Sequence, residues 1–327
     1  MKSFTAGANE NDVRLSRFVE GVTKDMPRSM MYKAFRNKRI KVNGKRAEPD
    51  TRLKTGDLIE MYINDEFFPT EGVKPKAKPP RRQPPVTVIY EDANFAVLYK
   101  PAHLLCHSDR TGDANLVDAF AAYLEAKGEY DPHAEQRFAP ALCNRIDRNT
   151  GGIVIAAKTA EGLRVMNQKI KDRELEKRYL CVIHGTMPQR KGKLEGYLWK
   201  DEVKKQVYVR SKPVPGAKTA VTLYRTLAVR NGLSLVECEL VTGRTHQIRA
   251  QFSAAGHPLL GDGKYGSERD NRRYGRHGQA LYSYRLSFRF TTDAGPLEPL
   301  NGRSWQVEEV DFVQEYFPGF SLPRTEG

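Results

Sequence analysis

Residues 144–156 read NRIDRNTGGIVIA, and this stretch decides how the rest of the chain is interpreted. Asp147 stands between Arg145 and Arg148, a polar Thr-Gly-Gly turn follows, and a β-branched apolar run then enters a core. The pattern predicts a carboxylate at a strand edge that adjacent positive charge keeps ionised and that faces a cleft. An ordinary surface Asp–Arg pair in front of a buried strand would use the same residues. The segment alone leaves both interpretations open.

The charge of the chain points toward a polyanionic partner. Of its 327 residues, 54 are Lys or Arg and 40 are Asp or Glu, which gives a formal net charge of +14. Such a surplus suits binding to a phosphate backbone. Because the basic residues are clustered, a cationic surface that serves solubility alone explains them less well.

Membrane and metal-binding classes receive no support from the sequence. No apolar run approaches the roughly 18 residues of a membrane span, and the first residues lack the apolar segment of a signal peptide. The four cysteines lack the paired spacing of metal ligands. They are Cys106, Cys143, Cys181 and Cys238. We therefore expect a reduced, cytoplasmic protein without a metal site or a membrane partner.

A proline-rich stretch divides the chain. Between Pro69 and Pro85 there are six prolines and five basic residues. Such a segment cannot form a helix interior or a central strand, so we predict an extended tether. The predicted organisation is a small first domain at residues 1–68, a basic linker at 69–85 and a second domain at 86–327.

The first domain has the pattern of a helix followed by a hairpin. We predict a helix with Ser29 as its N-cap and an apolar stripe from Met30 to Phe35. Residues 40–42 alternate like a strand, and Asn43-Gly44 is a strong hairpin signal because both turn positions need a positive φ. Residues 58–62 supply another strand.

This helix and hairpin carry a concentrated positive charge. Between Met26 and Ala47 there are eight basic residues and no acidic one. One cationic face of this kind suits phosphate contacts, which position RNA without reading its sequence. A small basic adaptor that binds protein is the alternative. The predicted RNA-contacting side chains are Arg28, Lys33, Arg36, Lys38, Arg39, Lys41, Lys45 and Arg46.

The second domain is rich in strands. Residues 116–124 and 160–170 have helical spacing. Strand patterns occupy 86–90, 95–99, 179–183, 219–224, 233–240 and 281–290. The strands do not alternate regularly with helices, so an α+β fold is favoured over a doubly wound one.

Three further segments carry candidate chemistry. Tyr179 opens a strand, where it can serve as half-buried packing or offer an aromatic face to a base. Residues 243–249 read GRTHQIR, and their Gly start and two arginines predict a helix whose guanidinium groups meet a phosphate or a buried carboxylate. A surface helix with solvated charges is the alternative. Residues 99–107 read YKPAHLLCH, which we interpret as a loop with polar tips.

Histidines in these segments do not form a metal site. His246 and His257 lack a third ligand with fitting spacing. His103, Cys106 and His107 lack a fourth. The sequence therefore predicts no metal.

Taken in order, these segments resemble the RluA-type pseudouridine synthases. The match includes the Asp147 stretch, the Lys-x-Tyr that ends at Tyr179, and the string from 243 to 262. In the first domain, the strings RS (28–29), KRIKVNGK (38–45) and GDLI (56–59) resemble the alpha-L (S4-type) RNA-binding motif. The resemblance implies an α+β protein in which a small basic alpha-L RNA-binding domain precedes a catalytic domain with a mixed, mainly antiparallel β-sheet.

The resemblance also implies residue roles. Asp147 would be the nucleophile, and Tyr179 would lie against the target uracil. We assign Arg249 to hold a positive charge against Asp147, and Arg145 to fill the position that the flipped base vacates. No redox change or phosphate donor is involved, so no cofactor is expected.

This sequence departs from the family pattern at three places. The family usually has His where Asn144 stands, Ser where Gly152 stands, and His-Ala where Tyr282-Ser283 stands. The change at Asn144 puts one contact near the cleft in question.

Large-subunit ribosomal RNA is the expected substrate, because an added RNA-binding domain helps to select a site within tertiary structure. Transfer RNA is the alternative substrate. A non-catalytic RNA-binding or ribosome assembly factor and a base glycosylase are alternative functions. We expect a monomer.

Overall fold

Two β-sheets, one small and one large, organise the chain in a computed structural model. The structure describes residues 1–23, 26–68, 83–109, 111–132 and 138–323. The small sheet uses strands within residues 2–61, and the large sheet uses strands within residues 87–306. Of the predicted linker, only its last three residues belong to the described part of the chain. The proposed tether therefore stays a prediction.

The small sheet is antiparallel and is packed against two helices. Its strands are β1 (Lys2–Thr5), β2 (Ile40–Val42), β3 (Lys45–Arg46) and β4 (Leu58–Met61), in the order β1-β4-β2-β3. The helices are α1 (Leu15–Val22) and α2 (Arg28–Arg36). Buried side chains of both helices meet Ile40, Ile59 and Met61 from the sheet in one apolar core.

The predicted hairpin is confirmed, but the predicted start of α2 is wrong. Asn43 and Gly44 have φ values of 51° and 73°, as the turn requires. The helix begins at Arg28 with Pro27 as its N-cap, so Ser29 lies inside the first turn and caps nothing. Met30, placed on the apolar stripe, is 42% exposed. Its neighbours on the stripe from Met31 onward fill the core.

The large sheet is mixed and mainly antiparallel, as predicted. Its main path runs β11-β10-β12-β13-β9-β14-β8-β6-β5, and β8 with β14 is its parallel pair. The strands are β5 (Thr87–Glu91), β6 (Phe95–Lys100), β7 (Ala141–Leu142), β8 (Gly151–Ala157), β9 (Leu175–His184), β10 (Lys191–Asp201), β11 (Gln206–Arg210), β12 (Lys218–Arg230), β13 (Leu233–Leu240), β14 (Leu281–Phe288) and β15 (Ser304–Gln306). Every strand region predicted for the second domain is present.

Five α-helices accompany the large sheet in the described part of the chain. They are α3 (Leu116–Ala126), α4 (Ala160–Lys171), α5 (Gln247–Ala254), α6 (Glu268–Arg273) and α7 (Asp311–Tyr316). The predictions of α3 and α4 are confirmed. The helix predicted from Gly243 begins four residues later, because His246 has a left-handed φ of 52° that interrupts a helical backbone. Within the described residues no helix is long and apolar enough to cross a bilayer.

The position of β14 brings distant segments of the sequence together. It lies between β9 and β8, pairing Ser283 with both Tyr179 and Gly152. Helix α5 packs its buried Ile248 and Phe252 into the same apolar cluster as Tyr179 and Ile146. Tyr179, the loop before β8 and α5 therefore meet on one face of the sheet.

Candidate functional site

Asp147 lies in the loop between β7 and β8, and the backbone of this loop is held at three consecutive carbonyls. The thiol of Cys106 lies 3.4 Å from the carbonyl oxygen of Ile146, and the amide of Thr150 donates to the carbonyl of Asp147 at 3.0 Å. The Lys100 ammonium donates to the carbonyl of Arg148 at 3.0 Å. The Asp147 side chain is 23% exposed. The loop thus presents its carboxylate at a fixed position with access to solvent.

Arg249 and Asp262 form a buried network with this carboxylate. Arg249 donates from Nη1 to Oδ2 of Asp147 at 2.7 Å. It also donates from Nε and Nη2 to both oxygens of Asp262, at 2.7 and 3.0 Å. The Asp262 carboxylate accepts two further hydrogen bonds from the backbone amides of Lys264 and Tyr265. This bidentate geometry fixes the guanidinium plane so that its remaining edge faces Asp147.

The electrostatics of the network favour charged partners. Burial opposes the charge of Arg249, but its hydrogen bond and charge interaction with Asp262, together with the charge of Asp147, raise the pKa of the guanidinium. Burial likewise opposes the charge of Asp262, while the hydrogen bond from Arg249 keeps the pKa of that carboxyl below its ordinary value. Arg249 is therefore a permanent cation held against Asp147.

The positive charge beside Asp147 does not come from its neighbours in the sequence, and this expectation was wrong. Arg148 instead pairs with Asp113 at 2.9 Å and donates to the carbonyl of His103. Arg145 is exposed and forms no ion pair within the described residues. Consecutive side chains of an extended loop diverge, so the partner of Asp147 is Arg249 from a different part of the chain.

Tyr179 lies on β9, opposite Ser283 of β14. It is 6% exposed, and burial raises the pKa of its hydroxyl to about 12. The side chain is thus neutral in the ordinary pH range. It belongs to the apolar cluster that also contains Ile146, the residue before Asp147. The structure therefore brings Asp147, Tyr179 and Arg249 into one place.

Lys100 had no role in the sequence analysis, although the quoted Tyr-Lys-Pro string contains it. Its side chain is fully buried at the end of β6, and its ammonium donates to three carbonyls, those of Pro101, Leu104 and Arg148. Burial lowers the pKa of Lys100 to about 8. The residue fastens the loop after β6 to the loop that carries Asp147. A lysine that ends an apolar strand pattern was the available signal.

The departures from the family pattern at Asn144 and Gly152 have structural explanations. Asn144 accepts a hydrogen bond from the amide of Ile155 at 2.8 Å, which ties the start of the Asp147 loop to β8. Gly152 has a φ of 120°, and a Cβ there would lie 2.0 Å from the carbonyl oxygen of Ser283. A side chain at this position would therefore disturb the pairing of β8 with β14.

The predicted RNA-contacting residues lie apart from Asp147, in the region of the small sheet. All eight are exposed except Lys41, which is half-buried and lies over the ring of Tyr62. Among the described residues, two of them form ion pairs, Arg28 with Glu20 at 3.2 Å and Arg46 with Glu48 at 3.0 Å. The eight are Arg28, Lys33, Arg36, Lys38, Arg39, Lys41, Lys45 and Arg46.

The small-sheet region contacts the large one through α4. Asn9 accepts a hydrogen bond from the amide of Ala160 at 3.1 Å, and Arg164 donates to the carbonyl of Asn11 at 2.8 Å. Both acceptors precede α1.

His246 and His257 have partners other than a metal. The Nδ1 atom of His246 lies 2.8 Å from the Tyr265 hydroxyl, and that of His257 lies 3.0 Å from the carbonyl oxygen of His184. Among the described residues, no three His, Cys, Asp or Glu side chains are grouped to hold a metal ion.

Comparisons with known proteins agree with this geometry. The profile of the family described as RNA pseudouridylate synthase matches residues 94–254. An uncharacterized RNA pseudouridine synthase of Mycoplasma genitalium is 31% identical to this chain over 87% of its length and 88% of the relative. Ribosomal large subunit pseudouridine synthase C of Vibrio vulnificus is 28% identical over 91% of each chain. The protein of that name from Escherichia coli is 27% identical over 84% of this chain and 82% of the relative.

A solved structure shows the same fold. The human protein described as RNA Pseudouridylate Synthase Domain Containing 4 superposes with a TM-score of 0.54 at 19% identity. The match covers 70% of this chain and 90% of the human one. The mixed, mainly antiparallel sheet is thus a pseudouridine synthase fold.

Proposed function

Since this chain belongs to the RNA pseudouridine synthase family, and is an isomerase, we propose that it converts specific uridines of large-subunit ribosomal RNA to pseudouridine. The observation that carries the proposal is the carboxylate of Asp147, held by Arg249 at 2.7 Å in a partly open site beside Tyr179. A nucleophilic carboxylate needs its charge, and the guanidinium stabilises that charge.

The reaction needs no partner besides the RNA. The glycosidic bond between C1′ of the ribose and N1 of uracil breaks, the base turns, and C5 bonds to C1′. The hydrogen on C5 is lost to solvent, and N1 gains a proton. Substrate and product have the same atoms, so neither a group donor nor a redox cofactor is required. Asp147 acts as the nucleophile and assists the proton movement.

Tyr179 and Arg145 act on the position of the target uracil and take no part in breaking the glycosidic bond. In this proposal the target uracil leaves its stack and lies against the ring of Tyr179. Arg145 is exposed two residues before Asp147, and its guanidinium enters the position that the base vacates. Unstacking costs a few kcal/mol and is least costly for an unpaired uridine, so the target lies in a loop or junction.

The choice of ribosomal RNA rests on the relatives and on the N-terminal region. Several relatives carry the name ribosomal large subunit pseudouridine synthase C. A match over 91% of the chain cannot lie wholly within residues 94–327, so these relatives share part of the N-terminal region. We propose that residues 1–68 form an alpha-L (S4-type) RNA-binding domain and 86–327 the catalytic domain. The exposed basic residues on α2 and on the hairpin of β2 and β3 support RNA binding by this region.

Mapping of pseudouridine across cellular RNA tests the proposal. RNA is compared from a strain with this chain, a strain without it, and a strain with the Asp147→Asn variant. Loss of the same large-subunit sites in the last two strains is the expected result. Sites lost in tRNA while ribosomal RNA is unchanged would overturn the choice of substrate.

Two other results would indicate a function other than pseudouridine synthesis. Full modification in the Asp147→Asn strain would indicate an RNA-binding or assembly factor without catalysis. Release of free uracil by the purified protein would indicate a base glycosylase.

A further inference from the structure

His246 lies beside Asp147 and has no part in the mechanism above. It immediately precedes α5, three residues before Arg249, and its Nε2 atom is 3.9 Å from Oδ2 of Asp147. That oxygen is the one that accepts from Arg249. The other oxygen, Oδ1, has no hydrogen-bond partner within the described residues. The two oxygens of the nucleophile are therefore in different surroundings.

The far side of the imidazole is held by Tyr265. The Tyr265 hydroxyl lies 2.8 Å from Nδ1 of His246, and its ring meets the imidazole edge-on at 81°. The same hydroxyl oxygen accepts the backbone amide of Val207, on β11, at 3.0 Å. Within the described residues, Nδ1 of His246 is the acceptor within reach of the hydroxyl proton. This proton assignment makes Nδ1 an acceptor, so a neutral imidazole carries its hydrogen on Nε2, toward Asp147.

The neutral form fits the surroundings of His246. Burial lowers the pKa of the imidazole, Arg249 and Lys264 act in the same direction, and Asp147 and Asp262 oppose them. The backbone of His246 is also unusual, because a φ of 52° costs a non-glycine residue free energy and persists where the surroundings enforce it. Gln247, which accepts from the Arg244 amide at 3.0 Å and the Thr242 hydroxyl at 2.8 Å, holds this turn.

We propose that His246 is a positioning residue for Asp147: with RNA bound, its Nε2–H donates to Oδ2, which leaves Oδ1 as the reacting oxygen. The inference rests on the proposed pseudouridine synthase activity. The 3.9 Å separation is longer than a hydrogen bond, but hydrogen bonds at active sites are often long without substrate and tighten in the complex. Arg249 alone fixes Oδ2 at one point, whereas a second donor also fixes the rotation of the carboxylate.

Two substitutions of His246 test whether its Nδ1 or its Nε2 atom is needed for turnover. His246→Asn keeps a residue that tolerates a left-handed backbone, but its amide reaches only the Nδ1 position. His246→Gln places an amide nitrogen near the Nε2 position and can donate to Asp147. We expect the Asn variant to lose about ten- to a hundredfold in kcat with little change in KM. The Gln variant should stay within a few-fold of the unchanged protein.

The assay uses large-subunit ribosomal RNA from a strain that lacks this chain, labelled with tritium at uridine C5, and measures tritium release. His257→Asn is the matched control, because His257 also bonds through Nδ1 but contacts a backbone carbonyl away from Asp147. Its kcat should stay within about twofold. Thermal unfolding of each variant shows whether its fold is intact.

The measurements distinguish failure of the role proposed for His246 from failure of the proposed pseudouridine synthase activity. No tritium release by the unchanged protein, with no site lost in its deletion strain, would overturn the proposed function itself. With the unchanged protein active, equal kcat values for the folded His246→Asn and His246→Gln variants would overturn the role of Nε2, and so would a change in KM alone. If His246→Asn does not fold, Tyr265→Phe decides: a fall of a few-fold in kcat supports the inference, and an unchanged kcat overturns it.

Discussion

The basic helix and hairpin of the N-terminal region and the Asp147 site use charge in opposite ways. In the first, all the predicted RNA contacts except the half-buried Lys41 are exposed, and only Arg28 and Arg46 have acidic partners among the described residues. In the second, Arg249 and Asp262 are buried and bonded in a bidentate pair, and the edge of the pair faces Asp147. Exposed charge attracts a polyanion from a distance, whereas buried charge holds a geometry.

The exposed cations of the N-terminal region and the buried Arg249–Asp262 pair should respond differently to salt concentration. Exposed cations that contact phosphates release counterions, so their contribution to affinity falls as salt rises. A buried and fully bonded pair is screened far less. If the two regions divide binding and chemistry as proposed, substitutions in one should alter the salt dependence of affinity and substitutions in the other should alter turnover.

The largest effect is expected for Asp147→Asn. The amide cannot act as a nucleophile, so pseudouridine formation should be abolished, while phosphate contacts keep RNA affinity within a few-fold of the unchanged protein. Tritium release from C5-labelled RNA and a filter-binding titration measure the two quantities. Near-normal turnover by this variant would refute the nucleophile assignment and the contrast between the regions.

The next largest effect is expected for Asp262→Asn. The variant removes the charge that fixes Arg249, so turnover should fall, and breaking a buried ion pair should cost about 3–5 kcal/mol of unfolding free energy. Asp113→Asn is the matched control, since its partner Arg148 is exposed and a surface pair contributes about 1 kcal/mol or less. Denaturant unfolding and tritium release check both variants. Equal losses of stability would show that burial does not distinguish these pairs.

Local patterns were enough to predict much of the fold. The Asn43-Gly44 turn follows from the φ angles it needs, and strands β5, β6, β9, β12, β13 and β14 follow from their apolar patterns. Strands β7, β10, β11 and β15 were not predicted. Asp147 could be singled out because its short segment resembles a family motif. Each of these features depends on residues close together in the sequence.

Features that depend on distant residues could not be predicted in this way. Asp262 is the last residue of the segment 243–262 that resembles the family motif, yet its contact with Arg249 exists only because the chain turns back after α5. The insertion of β14 between β8 and β9 is likewise a tertiary pairing. Helix α5 begins late because of the left-handed backbone at His246, which a pattern of residue types does not reveal.

A smaller effect on chemistry is expected when residues 1–68 are deleted. Binding should weaken and its salt dependence should flatten, because phosphate contacts are lost. Turnover of a short hairpin substrate should survive better than turnover of structured ribosomal RNA. The comparison uses kcat/KM on both substrates with the full chain as reference. An equal loss on both would indicate that the N-terminal region is part of the catalytic fold, for example through its contacts with Ala160 and Arg164.

The smallest effect is expected for a single exposed cation on α2. Arg36→Gln should weaken RNA binding slightly and reduce the slope of log K against log salt by about 0.7–0.9, the value of one phosphate contact. Turnover at saturating RNA should not change. Arg28→Gln is the control from the same helix, because Arg28 already forms an ion pair with Glu20 at 3.2 Å in the absence of RNA. Its slope should change less. If both variants leave the slope unaltered, α2 does not contact phosphate, and the contrast between the two regions would no longer describe how this chain holds RNA.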